Sequence, residues 1–533
     1  MDVLSQQRMK TMLLMIVCLS GLHVITGTPG NQFIVGFMEN VESKFPPKLV
    51  IGGNPHTSSN VTVTCPGLNF SQSFEVLKLE AVRVEIPTEA VNIGTDHYKN
   101  GILIDSSADI TVYGLNTASA NSMDGFTALP TRYLGVEYQV ISTNVSNLLP
   151  SDQRWSEFLI IGVFDNTTVE VLLMAPTFYQ NVSYNIGETL KIRVSRLETI
   201  QLQSQRDLTG TRVISSRPIA VMSGSKCANI PVDIEACDHL VEFIPPTNRL
   251  GREFILPTFL SRMAGDQFRL IGFEPQTAVT IAAPSIGNFT VQLGAGEFYT
   301  FELHSLESGY VTSSRPIIVA QYSQGAFADG GVKGDPTMLL VTPINQWLRA
   351  GDSAVVFSTY DVTADGLKPV QSYVTVTSRC SFTEDIIVDG RPLSVPKELV
   401  TVHPSRGEVV DFCVMRSPLR PGVHVISAVN SDAAFAAYVY GFGQHIAYAF
   451  PLGISGQPLS DTAPPNATTY RPNQERNTVC LGANTTHWTV ISILIFAVCV
   501  LIICSLVLWR KLKAITVVMP MRTDKPRPID SNK

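Results

Sequence analysis

The chain has 533 residues, 45% hydrophobic and only 16% charged, a balance that rules out a largely disordered protein. Its 39 Lys and Arg against 45 Asp and Glu give a net charge of −6, but the last 24 residues carry +5 and the first 27 carry +1, leaving −12 on the body. An acidic body argues against a nucleic-acid partner, whose phosphates need clustered Lys and Arg.

Residues 1–27 read as a secretory signal. Arg8 and Lys10 precede an apolar run at 12–22, and small residues around Thr26-Gly27-Thr28 mark a cleavage site. The chain beyond residue 27 therefore enters an oxidising, glycosylating compartment. Cys18 leaves with the signal; Cys65, Cys227, Cys237, Cys380, Cys413 and Cys480 remain outside. Six cysteines allow fifteen pairings, of which local sequence suggests two. Cys227 is expected to bond Cys237, because Pro231 and Asp233 can turn the short chain between them. Cys380 is expected to bond Cys413 across the hairpin sequence Ile386-Ile-Val-Asp-Gly-Arg-Pro, whose Asp389-Gly390 is a turn signal. Cys65 and Cys480 are left, to bond each other or, for Cys480, to join two chains into a homo-oligomer. Eight Asn-x-Ser/Thr sequons share this stretch: Asn60, Asn69, Asn144, Asn166, Asn181, Asn288, Asn466 and Asn484.

From 31 to 453 the chain reads as all-β and repeats itself. Ser215-Ser-Arg-Pro-Ile-Ala-Val221 recurs as Ser313-Ser-Arg-Pro-Ile-Ile-Val319, and Phe158-Leu-Ile-Ile-Gly-Val-Phe has a counterpart in Phe268-Arg-Leu-Ile-Gly-Phe. A third phrase opens successive units: Leu129-Pro-Thr-Arg-Tyr-Leu-Gly135, Ile244-Pro-Pro-Thr-Asn-Arg-Leu-Gly251 and Val341-Thr-Pro-Ile-Asn-Gln-Trp-Leu348, the last without its glycine. The units fall at 31–128, 129–243, 244–340 and 341–453. Short β-branched or alternating runs ending at Gly, Pro, Asn or Asp predict antiparallel strands, and no window predicts an amphipathic helix. Tandem β-sandwich-like repeats are the expectation; two propeller blades per unit are the alternative, and periodicity does not choose between them.

Residues 454–487 lose the pattern. Four prolines among Ser, Thr, Asn and Gln predict an extended, glycosylated stalk. Residues 490–508 are uncharged, flanked by Trp488 and Trp509, and followed by Arg510-Lys511-Leu512-Lys513. That is long enough to cross a bilayer, with the basic flank inside. The expectation is a single-pass type I protein of the plasma membrane, N-terminus extracellular, with a transmembrane helix at 488–509 and a cytoplasmic tail at 510–533.

Several of these stretches resemble a known family. Ser216-Arg-Pro-Ile-Ala-Val-Met-Ser-Gly-Ser-Lys-Cys227, then Cys237-Asp-His-Leu-Val-Glu-Phe-Ile-Pro-Pro246, Gly334-Asp-Pro-Thr-Met-Leu-Leu-Val-Thr-Pro343 and Tyr448-Ala-Phe-Pro-Leu-Gly453 are similar to the N-terminal domain of the mucus IgG Fc-binding family. The resemblance covers 31–453. It implies an extracellular binding or adhesive domain. The family's mucus protein continues into von Willebrand D-type modules where this chain has its stalk and span, and no residue set for an immunoglobulin contact carries over.

Catalytic signatures are sparse. His-Glu-x-x-His, P-loop and Gly-x-Ser-x-Gly sequences are absent, and Gly441-Phe-Gly443 lacks the third glycine of a dinucleotide site. Asp238-His239 reads as structure beside a disulfide rather than a metal ligand. Asp361-Val-Thr-Ala-Asp365-Gly366 reads as a turn, lacking the further acids of a calcium loop. Gly334-Asp335-Pro336-Thr337 lacks the histidine of the Gly-Asp-Pro-His self-cleavage site. No cofactor and no metal are expected. The reading is a non-enzymatic surface receptor for a protein or glycan ligand on glycoprotein, mucus or microbes, with contacts on the loops at 113–126 and 327–336. The alternative is an ectoenzyme, a hydrolase whose site is assembled from distant residues.

Overall fold

Strands form where alternate side chains find a core. Thr167–Leu172 buries Thr167, Val169 and Val171 and exposes the three residues between them. The computed structural model describes residues 28–455 apart from 42–44, 120–121, 350–353, 361–368 and 403–407. Over these residues the chain is all-β, as expected, with 3-10 turns as its helical elements. No helix among the described residues is long and apolar enough to cross a membrane. The signal, the stalk beyond 455, the span, the tail, Cys480, Asn466, Asn484 and the whole 361–366 turn lie outside the described residues.

One connection pattern recurs along the chain. In the second set of strands the long strand Arg212–Ala228 belongs to two ladders. Its first half pairs with Gly135–Gln139 and Thr167–Leu172, and Thr189–Val194 lies beyond. Its second half pairs with Ser156–Gly162 and Asp238–Phe243, and Thr199–Ser204 lies beyond. The same order surrounds Ile102–Ser119 in the first set and Ser308–Ser323 in the third. In the fourth set the long strand is cut into Val423–Ala428 and Ala434–Gly443, with the partners unchanged in kind.

The crossing from one ladder to the other explains the repeated Ser-Ser-Arg-Pro. Pairing with Thr167–Leu172 ends at Ser215 and pairing with Ser156–Gly162 begins at Ile219, and the Gly135–Gln139 ladder is interrupted between Ile214 and Ile219, so Pro218 sits where a missing N–H breaks no ladder bond. Pro316 occupies the same gap, between Ser313 and Ile317. The second serine of each phrase takes a backbone N–H: Ser216 Oγ from Thr168 at 3.0 Å and Ser314 Oγ from Ala278 at 2.9 Å. Ser107 Oγ does the same for Asn60 at 2.9 Å, although its phrase reads Ser106-Ser-Ala-Asp-Ile-Thr-Val112.

Four hydrophobic cores result, and each is shared by two sets. In Ser156–Gly162, Phe158 and Ile160 face the second core, whereas Leu159 and Ile161 face the first, among Ile104 and Val112. That two-sided burial is why the strand reads as a continuous apolar run. Ile271, Ile318 and Tyr322 of the third set likewise enter the second core, and Tyr438 and Tyr440 of the fourth enter the third. The fourth core takes Val50, Tyr113 and Leu115 from the first set, so the sets close into a ring. At the closure Thr28 N donates to Ile454 O at 2.8 Å and Thr111 Oγ1 to Val356 O at 2.6 Å.

The Pro phrases are the joints between sets. Each makes a 3-10 turn after a proline: Thr131–Tyr133, Thr247–Arg249 and Ile344–Gln346. A β-carbon at Gly30 would lie 2.5 Å from Pro130, at Gly135 2.5 Å from Pro246, and at Gly251 2.2 Å from Pro343. Each set's first strand therefore needs glycine where the next set's proline lands. Among the described residues no fifth set follows the fourth, and Leu348 fills the corresponding position as part of the fourth core.

Candidate functional site

The last strands of the four sets, Ser122–Thr127, Asp238–Phe243, Met338–Leu340 and Ile446–Pro451, meet at the centre of the ring. Asp124 is the fully buried hub. Its carboxyl accepts backbone N–H from Gly125 at 2.8 Å, Val241 at 3.1 Å, Met338 at 3.1 Å and Ala449 at 3.3 Å, and the hydroxyl of Thr337. Burial outweighs those donors and pushes its pKa up to about 8. Asp238 takes Ser122 Oγ at 2.6 Å, Met123 N at 3.2 Å and His239 N at 2.7 Å. Burial raises Asp238 well above the carboxylate range, and the charges of Asp335 and Asp124 add to that. Glu242 accepts from Leu340 N at 3.3 Å and is raised by burial and by Asp124.

His239 belongs to the packed centre of the ring. It is fully buried, Asn116 Nδ2 lies 2.8 Å from its Nε2, and burial lowers its pKa to about 3. Among the described residues no group of three or more His, Cys, Asp and Glu is placed to hold a metal ion. The Gly334-Asp335-Pro336-Thr337 phrase is likewise a joint: Ser323 Oγ donates to Asp335 O at 2.6 Å and accepts from Thr337 N at 3.1 Å. Gly441 and Gly443 lie inside the strand Ala434–Gly443.

A second polar cluster, missed in the sequence, lies between the first and second sets. Lys226 Nζ binds Glu39 Oε1 at 2.6 Å and Asp152 O at 2.9 Å. Gln203 Nε2 bridges Glu39 Oε2 at 2.8 Å and Glu157 Oε2 at 2.7 Å. Burial, reinforced by the Glu39 charge, raises Glu157 well above the carboxylate range. A paired-carboxylate site for general acid and base work needs both oxygens open to substrate; here Glu157 has no exposed surface and Glu39 is 8% exposed. The signal was present in Ser156-Glu-Phe-Leu-Ile-Ile, one acid in an otherwise apolar run.

Among the described residues the cysteines form two bonds, Cys227–Cys237 and Cys380–Cys413, and leave Cys65 as a buried free thiol. Asp389-Gly390 makes the tight turn between Ile386–Val388 and Arg391–Pro392, both residues at positive φ. The asparagines of the six described sequons, Asn60, Asn69, Asn144, Asn166, Asn181 and Asn288, are all exposed. The loop expected at 113–126 is instead the second half of a long strand and the strand Ser122–Thr127; Tyr113 and Phe126 are buried at the ring's centre. Those side chains are committed to packing and offer no ligand surface. The 327–336 segment does reach the surface, with Phe327 48% exposed, and is pinned by Arg262 Nη1 donating to Lys333 O at 2.6 Å.

Two comparisons bear on this arrangement. A family model described as IgGFc binding protein matches residues 124–441, from the hub aspartate to the last long strand. Human IgGFc-binding protein is 27% identical over 331 residues, which is 61% of this chain and 6% of that protein. The chain thus spans a small part of the length of the relative it matches.

Proposed function

The chain belongs to the IgGFc-binding protein family, and from that premise we propose that it is an extracellular recognition or adhesion receptor, carried on the plasma membrane as a single-pass type I glycoprotein. The ring of four repeats at 31–128, 129–243, 244–340 and 341–453 is the binding head. The stalk at 454–487, the span at 488–509 and the tail at 510–533 carry it. One observation favours binding over hydrolysis: the acids at the axis and seam face protein donors, while the ring turns six sequons outward. Groups so engaged hold sets together and are closed to a substrate. The ligand belongs to glycoproteins, mucus or microbial surfaces, and the relative's name makes immunoglobulin Fc a candidate. With Cys65 sealed in the core, Cys480 is left to link two chains.

The test uses cells displaying the full chain. Fluorescent Fc, mucin and killed bacteria are applied, with an esterase, glycosidase and peptidase screen alongside. Saturable binding of one ligand without turnover is expected; turnover without binding would install the ectoenzyme in its place. Protease added to intact cells should shorten the band detected by an antibody to the last ten residues, and survival of the full-length band would reverse the topology.

A further inference from the structure

The second set carries an insertion. Between Thr167–Leu172 and Thr189–Val194 the chain makes a hairpin, Thr177–Tyr179 against Val182–Tyr184, that joins none of the larger sheets. The first and third sets pass directly between the matching strands. Tyr179 anchors the hairpin in the second core, while Phe178 is held 56% exposed. The hairpin thus adds an exposed aromatic ring to a connection that the sheets do not need, and connections are where binding residues concentrate.

The hairpin borders a cleft. Phe178, Tyr184 and Trp155 supply aromatic surface; Thr95, Asn185 and Gln205 supply neutral hydrogen-bonding groups. No charged residue lines it, although Glu39, Glu157 and Lys226 lie nearby, because Gln203 engages both acids and the lysine engages Glu39. Several of these groups are fixed in advance. Trp155 Nε1 donates to Asp152 O at 3.0 Å, and Gln205 Nε2 to Ser151 O at 3.1 Å.

We propose that this cleft binds a neutral oligosaccharide. Sugars offer C–H faces to aromatic rings and hydroxyls to amides, and this lining provides both. A sulfated or phosphorylated ligand would bury its charge against no cation, which is costly. The inference rests on the binding role above and gives it a ligand class and a place. The sugar can come from another molecule or from a glycan on Asn181, which stands at the hairpin's own turn.

Cells displaying the full chain are stained with fluorescent polyacrylamide polymers bearing galactose-, N-acetylglucosamine- or mannose-terminated neutral oligosaccharides, and with a sulfated polymer. The chain is tested as it is and as Asn181→Gln. A neutral polymer is expected to bind; Phe178→Ala and Tyr184→Ala should each weaken it about ten-fold, and Phe164→Ala, an exposed ring outside the cleft, should not. Binding that emerges only with Asn181→Gln identifies the chain's own glycan as the occupant; binding in both identifies a ligand in trans. The site is refuted by no neutral binding in either chain, by preference for the sulfated polymer, or by Phe178→Ala and Tyr184→Ala variants that reach the surface and bind as before. Fc binding that persists in that case leaves the receptor reading standing and removes only the cleft.

Discussion

Asp124 shows how one side chain joins four strands and makes stability depend on pH. Its pKa in the folded chain is about 8 against 3.8 for an ordinary carboxyl, so the folded state holds a proton that the unfolded state has lost. Such a contribution is complete below the unfolded pKa and is lost as pH rises through the folded one. His239 has the opposite sign, its pKa lowered to about 3, and affects stability only below its ordinary value of 6.5. The window from pH 6.5 to about 8 therefore belongs to the raised carboxyls, Asp124 and Asp266 (raised by burial to about 7) among them. Melting of the full-length chain in detergent should show the midpoint falling across that window, as stability drops by up to about 1.4 kcal/mol per pH unit for each proton. Asp124→Asn should flatten part of the fall while costing about 1–3 kcal/mol, because an amide nitrogen then faces N–H donors. A flat profile in the unaltered chain would mean that Asp124 is ionised in place. Cys65 is a simpler case. It is fully buried, burial raises its pKa, and iodoacetamide should label it only after unfolding; labelling in the native protein would place it at the surface.

The long strand that serves two ladders is the element that repeats, and its legibility varied with its residues. Ser215-Ser-Arg-Pro and Ser313-Ser-Arg-Pro announced themselves because both keep a proline in the gap between ladders, where its missing N–H breaks no ladder bond. The first copy kept only the serines, Ser106 and Ser107, and hydrogen bonding from Asn60 N to Ser107 Oγ reveals it where letters do not. The strand character of 113–126 was hidden for a related reason: Gly114, Asn116, Ser122 and Gly125 look like loop residues, but they sit in a crowded centre that larger side chains would not enter. A β-carbon on Gly114 would lie 2.0 Å from the Phe126 ring. The joints give the quantitative check. Gly251→Ala drives a methyl group into Pro343 and should cost about 1–3 kcal/mol or more. Gly331→Ala, with nothing within 4 Å, should be close to neutral in the same thermal melts; equal effects would show that the joints tolerate slack. The bonded pair Cys227–Cys237, ten residues apart, should contribute roughly 2–3 kcal/mol, read as the loss on replacing both with serine.

At the scale of the whole described body, the cores decide how the ring comes apart. A string of independent sandwiches would each own a core and melt separately; here Leu159, Ile271, Tyr440 and Tyr113 each pack in a core outside their own set's outer ladder. Polar contacts cross the same seams. Lys226 meets Glu39 between the first and second sets, and Arg83 Nη2 donates to Thr359 O at 2.9 Å between the first and fourth. Arg416 Nε donates to Thr258 O at 2.7 Å between the third and fourth. The seam between the second and third sets is held by Arg269, which is 2% exposed. Its Nη1 reaches Ser142 O at 2.8 Å, Asp207 Oδ2 at 2.7 Å and Thr209 Oγ1 at 2.9 Å, and the guanidinium lies over the Phe298 ring. Arg269→Met keeps much of the volume but leaves the partly buried Asp207 without that cation, at about 2–4 kcal/mol. Because each set borrows core from its neighbour, that loss should not free one set. Scanning calorimetry of the full-length chain in detergent should give one ectodomain transition for the parent and one, several degrees lower, for Arg269→Met. A variant trace that splits into two ectodomain transitions would show that the seam is a boundary between independently folding halves and that the shared cores do not couple them.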